Sequence, residues 1–159
     1  MNKKEIINQL VAKAEAELAE VKKAYDITKE LVQNGDLKSD GKYDTRATEA
    51  NYLADGQRQR ITDLESEVGL LQEVSTKDLS RFDKVSIGSV VGIEYNGNTR
   101  KYYISPITGG SMLKIGDEAL MVVSVFSPIG NGAINLEIGE NFELDFKGEL
   151  REYEVKSIQ

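Results

Sequence analysis

Two apolar stripes of matching length, set either side of a short acidic segment, constrain this chain more than any other feature. The first runs Ile7, Val11, Ala14, Leu18, Val21, Tyr25, Thr28, Val32, and the second Ala47, Ala50, Ala54, Gln57, Ile61, Leu64, Val68, Leu71. Steps alternating between four and three are the heptad period of helices that bury one seam against each other. About ten residues, Asn34 to Asp44, separate the stripes and are rich in Gly and Asp. The pattern predicts that residues 1–74 fold back as a long antiparallel α-helical coiled-coil hairpin with a carboxylate-bearing tip at 34–44. At about 1.5 Å per residue, thirty helical residues reach roughly 45 Å. Small residues at facing positions near the tip (Ala47, Ala50, Ala54) imply a close helix approach and a thin distal end.

The texture changes after Val74. Residues 75–84 read as a charged linker. From Val85 onward Gly is frequent, β-branched residues cluster and the apolar period shortens towards two. Val85 to Tyr95 reads as a strand, Asn96-Gly97-Asn98 as a hairpin turn, and Thr99 to Ile104 as the partner strand. Ala119 to Phe126, Asn141 to Phe146 and Leu150 to Ile158 read as further strands, broken at Ser127-Pro128-Ile129-Gly130 and at Lys147-Gly148-Glu149. Ala133 to Leu136 reads as a helical turn. The fold class is therefore α+β, a helical hairpin followed by a small β-rich domain at 85–159, expected as a curved antiparallel sheet.

Composition removes whole classes of chemistry. The chain has no Cys and no His, so thiolate catalysis, disulfides and Ser-His or Cys-His pairs are excluded, together with the usual zinc ligands. Any reaction must rest on carboxylates, Lys, Tyr or a metal held elsewhere. The net charge is −7 and acidic side chains outnumber basic ones in both halves, which argues against DNA or RNA binding by this chain alone. No apolar run approaches a membrane span, and Met1 to Glu5 is not followed by the apolar block of a signal peptide. A cytoplasmic protein is expected. It is also expected to be a monomer, because a hairpin satisfies its own stripe.

The segment Asn34-Gly35-Asp36-Leu37-Lys38-Ser39-Asp40-Gly41-Lys42-Tyr43 resembles the tip of the bacterial Gre transcript-cleavage factors, the GreA/GreB family. Further similar stretches follow in order: Arg60 to Glu65, Val85 to Val91, Ser127-Pro128-Ile129-Gly130, Ile138-Gly139-Glu140, and Gly148-Glu149 with Arg151 to Val155. This resemblance implies a hairpin that enters the secondary channel of bacterial RNA polymerase and an FKBP-like docking domain without isomerase activity. It implies an accessory factor, not an enzyme. The factor would have no cofactor of its own, act on Mg²⁺ in the polymerase active site, and meet the nascent RNA 3′ end only indirectly. Carried over residue by residue, it assigns Asp36, and with it Asp40, to assisting that metal. It also assigns partner contacts to Leu37, Lys38 and Tyr43 at the tip and to Ser127 and Pro128 on the second domain.

One departure concerns the chemistry. The family pairs the tip Asp with a Glu three residues on, and here Ser39 stands at that position. Asp40 is next to it, and on a helical turn i,i+3 and i,i+4 share a face, so Asp36 and Asp40 can converge. Taken without the resemblance, Asp36, Asp40 and Asp44 read as turn and N-cap residues. Arg46, Arg58 and Arg60 read as surface ion-pair partners. Three further functions stay open: a channel-binding modulator or inhibitor that does not cleave, a peptidyl-prolyl isomerase or chaperone on a helical arm, and a plain coiled-coil scaffold.

Overall fold

The computed structural model describes residues 1–33 and 43–159, without the side chains of 43–45. Two long helices come first: α1 spans Lys3–Gln33 and α2 spans Tyr43–Glu73. Asn2 caps α1, its Oδ1 accepting from the Glu5 N–H at 3.2 Å. No helix among the described residues is long and apolar enough to cross a membrane. Six strands follow, with one short helix among them: β1 Val90–Tyr95, β2 Asn98–Ser105, β3 Met112–Ile115, β4 Glu118–Ser124, α3 Pro128–Ala133, β5 Asn141–Phe146 and β6 Glu149–Ile158. The fold is thus α+β, two N-terminal helices and then a β domain. The chain divides into two compact units, Val11–Gly69 and a second made of Met1–Leu10 with Leu70–Gln159.

In the first unit the helices run antiparallel. Glu17 of α1 pairs with Arg60 of α2, whereas Val21 and Ala24, further along α1, line one gap with Leu53 and Gly56, which lie earlier in α2. Every stripe residue of this unit is buried or half-buried, and nearly all their helix neighbours are exposed. Ala14, Thr28, Ala54 and Leu64 are the most enclosed. Thr28 sits in the seam without cost in hydrogen bonding, because its Oγ1 donates to the Ala24 carbonyl at 3.0 Å.

The second unit is built on a sheet of order β3-β4-β2-β1-β6-β5. Two tight hairpins carry most of it. Asn96 and Gly97 both have positive φ (52° and 78°), as do Lys147 and Gly148 (52° and 86°). That is the mirror-image turn whose twist suits a two-residue hairpin, and it sets β1 against β2 and β5 against β6. The sheet is mixed, not antiparallel throughout as expected, because β2 and β4 pair in parallel. A parallel pair needs a crossover of about a dozen residues, and residues 106–117 provide it. That stretch also contains β3, which its Gly-rich surroundings concealed. The helical turn expected at Ala133 to Leu136 lies earlier, at Pro128–Ala133. Ser-Pro, read as a strand breaker, is the N-cap and first residue of α3, where the missing proline N–H is no loss. The start of β1 moves from Val85 to Val90, because Gly88 turns the chain at φ 90°. Val85 instead exchanges backbone hydrogen bonds with Asn135 and Leu136 at 2.8 Å.

Both faces of the sheet are covered. On one face Val91, Ile93, Tyr102, Ile104, Tyr153 and Val155 form the core with Ala133 of α3. The alternate residues Tyr103, Leu120 and Val122 are also fully buried. The start of α1 belongs to this unit: Lys3 Nζ donates to the Lys77 carbonyl at 2.8 Å and Gln9 Nε2 to the Lys114 carbonyl of β3 at 3.1 Å. Ile6, Ile7 and Leu10 are buried. Burial holds the Lys3 ammonium below the ordinary lysine range, and nearby Asp78 opposes that shift.

Candidate functional site

The sequence places its strongest site residues between the two helices. α1 ends at Gln33 and α2 begins at Tyr43. Asp36, Leu37, Lys38, Ser39 and Asp40 therefore fall outside the described residues. Tyr43 opens α2, and its side chain and that of Asp44 fall outside them too. Among the described residues there is no group of three or more acidic side chains that could hold a metal ion.

Arg60 binds Glu17 across the helices through Nε, at 3.1 Å, and through a terminal nitrogen. The hydrogen bond to Glu17 raises the Arg60 pKa further above its ordinary value. Arg58 pairs with Asp55 on its own helix, and Lys22 reaches Glu65 at 3.5 Å. The first two are the surface ion pairs expected for Arg58 and Arg60, and at such exposure each of the three is worth little. Beyond Arg60, towards the distal end, the polar surface gives way to a gap of about 520 Å³ lined by Val21, Ala24, Leu53 and Gly56. Tyr52 and Leu53 line it and are 73% and 55% exposed, and Ile27, three residues on from Ala24 in α1, is 54% exposed. Gln57 also lines it, with Oε1 buried and unpartnered. Sequence reasoning missed this patch because Tyr52, Leu53 and Ile27 lie off the heptad seam. Large apolar residues on the polar flank of a two-helix hairpin were the signal available.

On the second unit, Ser127 is occupied structurally. Its Oγ accepts from the Gly130 N–H at 3.1 Å and donates to the Ser124 carbonyl at 2.6 Å. Pro128 is exposed beside it. The residue just before, Phe126, is 80% exposed and lies beyond the end of β4 at Ser124, outside the strand expected over Ala119 to Phe126. Gly130 is required here by contact: a Cβ at this position would lie 2.0 Å from the Ser124 carbonyl oxygen. The loop is thus a rigid corner that presents an aromatic ring and a proline side by side.

The same unit carries an aromatic hollow on the sheet. Tyr153 stacks on Phe142 with centroids 5.2 Å apart and lies 5.0 Å from Tyr95. Arg151 covers the rings of Phe146, at 4.5 Å, and Tyr95, at 5.4 Å. Burial raises the Tyr102 hydroxyl above the usual phenol range, and Arg100 beside it pulls the other way.

An antiparallel two-helix hairpin joined to a six-stranded mixed sheet with one short helix defines the class. No family model matches the chain. It is similar to transcription elongation factor GreA of Mesorhizobium japonicum, with 29% identity over 135 residues that span 82% of this chain and 77% of that protein. The Gre-type resemblance read from the sequence is borne out by that relative, aligned over most of both chains. Among solved structures, the GreA factor homolog Gfh1 of Thermus thermophilus aligns over 98% of this chain and 93% of its own at 20% identity and a TM-score of 0.39. Gfh1 of Thermus aquaticus aligns over 99% and 94% at 21% identity and a TM-score of 0.41.

Proposed function

We propose that this chain is an accessory transcription elongation factor. Its hairpin enters the secondary channel of bacterial RNA polymerase and its β domain docks at the channel rim. One observation carries the reading: two stripes that seal against each other in an antiparallel hairpin, joined by a segment bearing Asp36 and Asp40. The similarity to GreA supports the partner. Carboxylates are the hard oxygen donors that Mg²⁺ prefers, and the polymerase-held Mg²⁺ supplies charge stabilisation for phosphodiester hydrolysis. Asp36, with Asp40, orients the attacking water at that centre and stimulates cleavage of backtracked RNA. Phe126, Ser127 and Pro128 form the rim contact. The factor works as a cytoplasmic monomer and has no catalytic residue set of its own.

A second reading keeps the partner and omits cleavage, and Ser39 favours it. A neutral hydroxyl stands where the family has Glu, and it brings no negative charge to a magnesium site that carboxylates normally supply. Backtracked elongation complexes mixed with the protein separate the two. Release of short 3′ RNA fragments above the polymerase's intrinsic rate, abolished by Asp36→Asn, supports cleavage. Slowed nucleotide addition without fragments supports modulation. No retention of the chain by purified polymerase refutes both.

A further inference from the structure

The aromatic hollow of the β domain has a composition that packing alone does not call for. Strand alternation places Ile93 and Tyr95 of β1, Arg100 and Tyr102 of β2, and Arg151 and Tyr153 of β6 on one sheet face. The register sets Ile93 directly opposite Arg100. Together with Asn96, Asn98 and apolar residues including Ile129, they line a cavity of about 420 Å³, within the range of small-molecule sites. Two guanidinium groups face it and no carboxylate lines it, in a protein whose net charge is −7. Among the described residues neither Arg100 nor Arg151 forms an ion pair. Arg151 Nε is buried without a hydrogen-bond partner, whereas Lys101 and Lys156 of the same domain are paired with carboxylates.

Two rings hold Arg151 in place. Its guanidinium lies over Phe146 and Tyr95, contacts that restrict its motion, and with Nε buried the terminal N–H groups are the ones left to meet an acceptor. A planar fork already ordered loses little entropy when it grips an anion in two-point fashion. Tyrosine rings and the apolar side chains Ile93 and Ile129 offer flat surface to the remainder of a ligand. We propose that this hollow is a binding site for a small organic anion, a carboxylate or phosphate borne on a flat apolar body, with Arg151 and Arg100 as its anion clamp. The site is independent of the hairpin tip, so its test does not rest on the polymerase reading.

Phenyl phosphate and adenosine 5′-monophosphate serve as aryl and nucleotide arms, with phenol and inorganic phosphate as controls. Titration of the full-length protein is followed by amide and tyrosine ring chemical shifts. One or both arms should bind saturably below about 1 mM, a strength typical of a single anchored anion plus one ring, and move resonances of β1, β2 and β6. Phenol and phosphate alone should bind at least tenfold more weakly. Arg151→Gln should weaken the organic anion about tenfold, as loss of one charge-assisted contact does. Arg151→Lys should recover only part, because the fork is lost. Urea midpoints of both variants confirm that they are folded. Saturation by neither arm, equal affinity in folded Arg151→Gln, or shifts with an acidic peptide alone would overturn the proposal.

Discussion

Tyr103 offers a sharp physical test of the β domain. It is fully buried in the middle of β2, and its hydroxyl has no hydrogen-bond partner. Burial pushes the phenol up to about 12 from 10.0. An unpartnered buried hydroxyl costs about 1–3 kcal/mol, so Tyr103→Phe, which removes one oxygen and keeps the ring, should stabilise the protein by about 1 kcal/mol at pH 7. The alkaline limb follows from linkage. The unfolded phenol releases its proton near pH 10, whereas the folded one retains it to about 12. The contribution is therefore fully present below pH 10 and is lost as pH rises through 12. Two pH units of mismatch amount to roughly 2.7 kcal/mol. Urea unfolding of wild type and Tyr103→Phe at pH 7, 9, 10 and 11, followed by circular dichroism, isolates this term as the difference between the two curves. The variant should gain a little at neutral pH and lose much less stability above pH 10. A loss of more than about 1 kcal/mol at pH 7, the value of a net hydrogen bond, would mean that the hydroxyl is bonded and the packing around β2 is misread.

Further outcomes follow from the same contacts. Leu64 is fully buried in the hairpin seam, and Leu64→Ala should cost about 3 kcal/mol, seen as a loss of helical ellipticity at lower temperature. A Cβ at Gly56 or Gly69 meets nothing within 4 Å, so Ala at either should stabilise α2 by up to about 1 kcal/mol. A destabilising Gly56→Ala would place an unseen neighbour on that face. Gly130→Ala drives a methyl into the Ser124 carbonyl and should lower the urea midpoint and weaken retention by RNA polymerase. Glu17→Gln removes an exposed ion pair with Arg60, and its thermal shift should correspond to less than about 1 kcal/mol and vanish at high salt.

The helical hairpin was legible in the amino-acid order residue by residue. A heptad seam is a local property: which side chain faces the partner helix follows from spacing alone, and each stripe position from Ile7 to Leu71 is enclosed to some degree. The two β-hairpins were legible for the same reason, since Gly97 and Gly148 supply positive φ where the chain reverses. What the order of residues left undetermined is non-local. The parallel β2–β4 pairing depends on which strand slides in after the 106–117 crossover. The apolar gap at Tyr52 and Leu53, the exposed ring of Phe126 and the clustering of Arg100 with Arg151 arise from residues far apart in the chain or off the periodic seam. Spacing determines the face of a helix or strand; only packing determines which faces meet, and therefore which charges and rings are left without a partner.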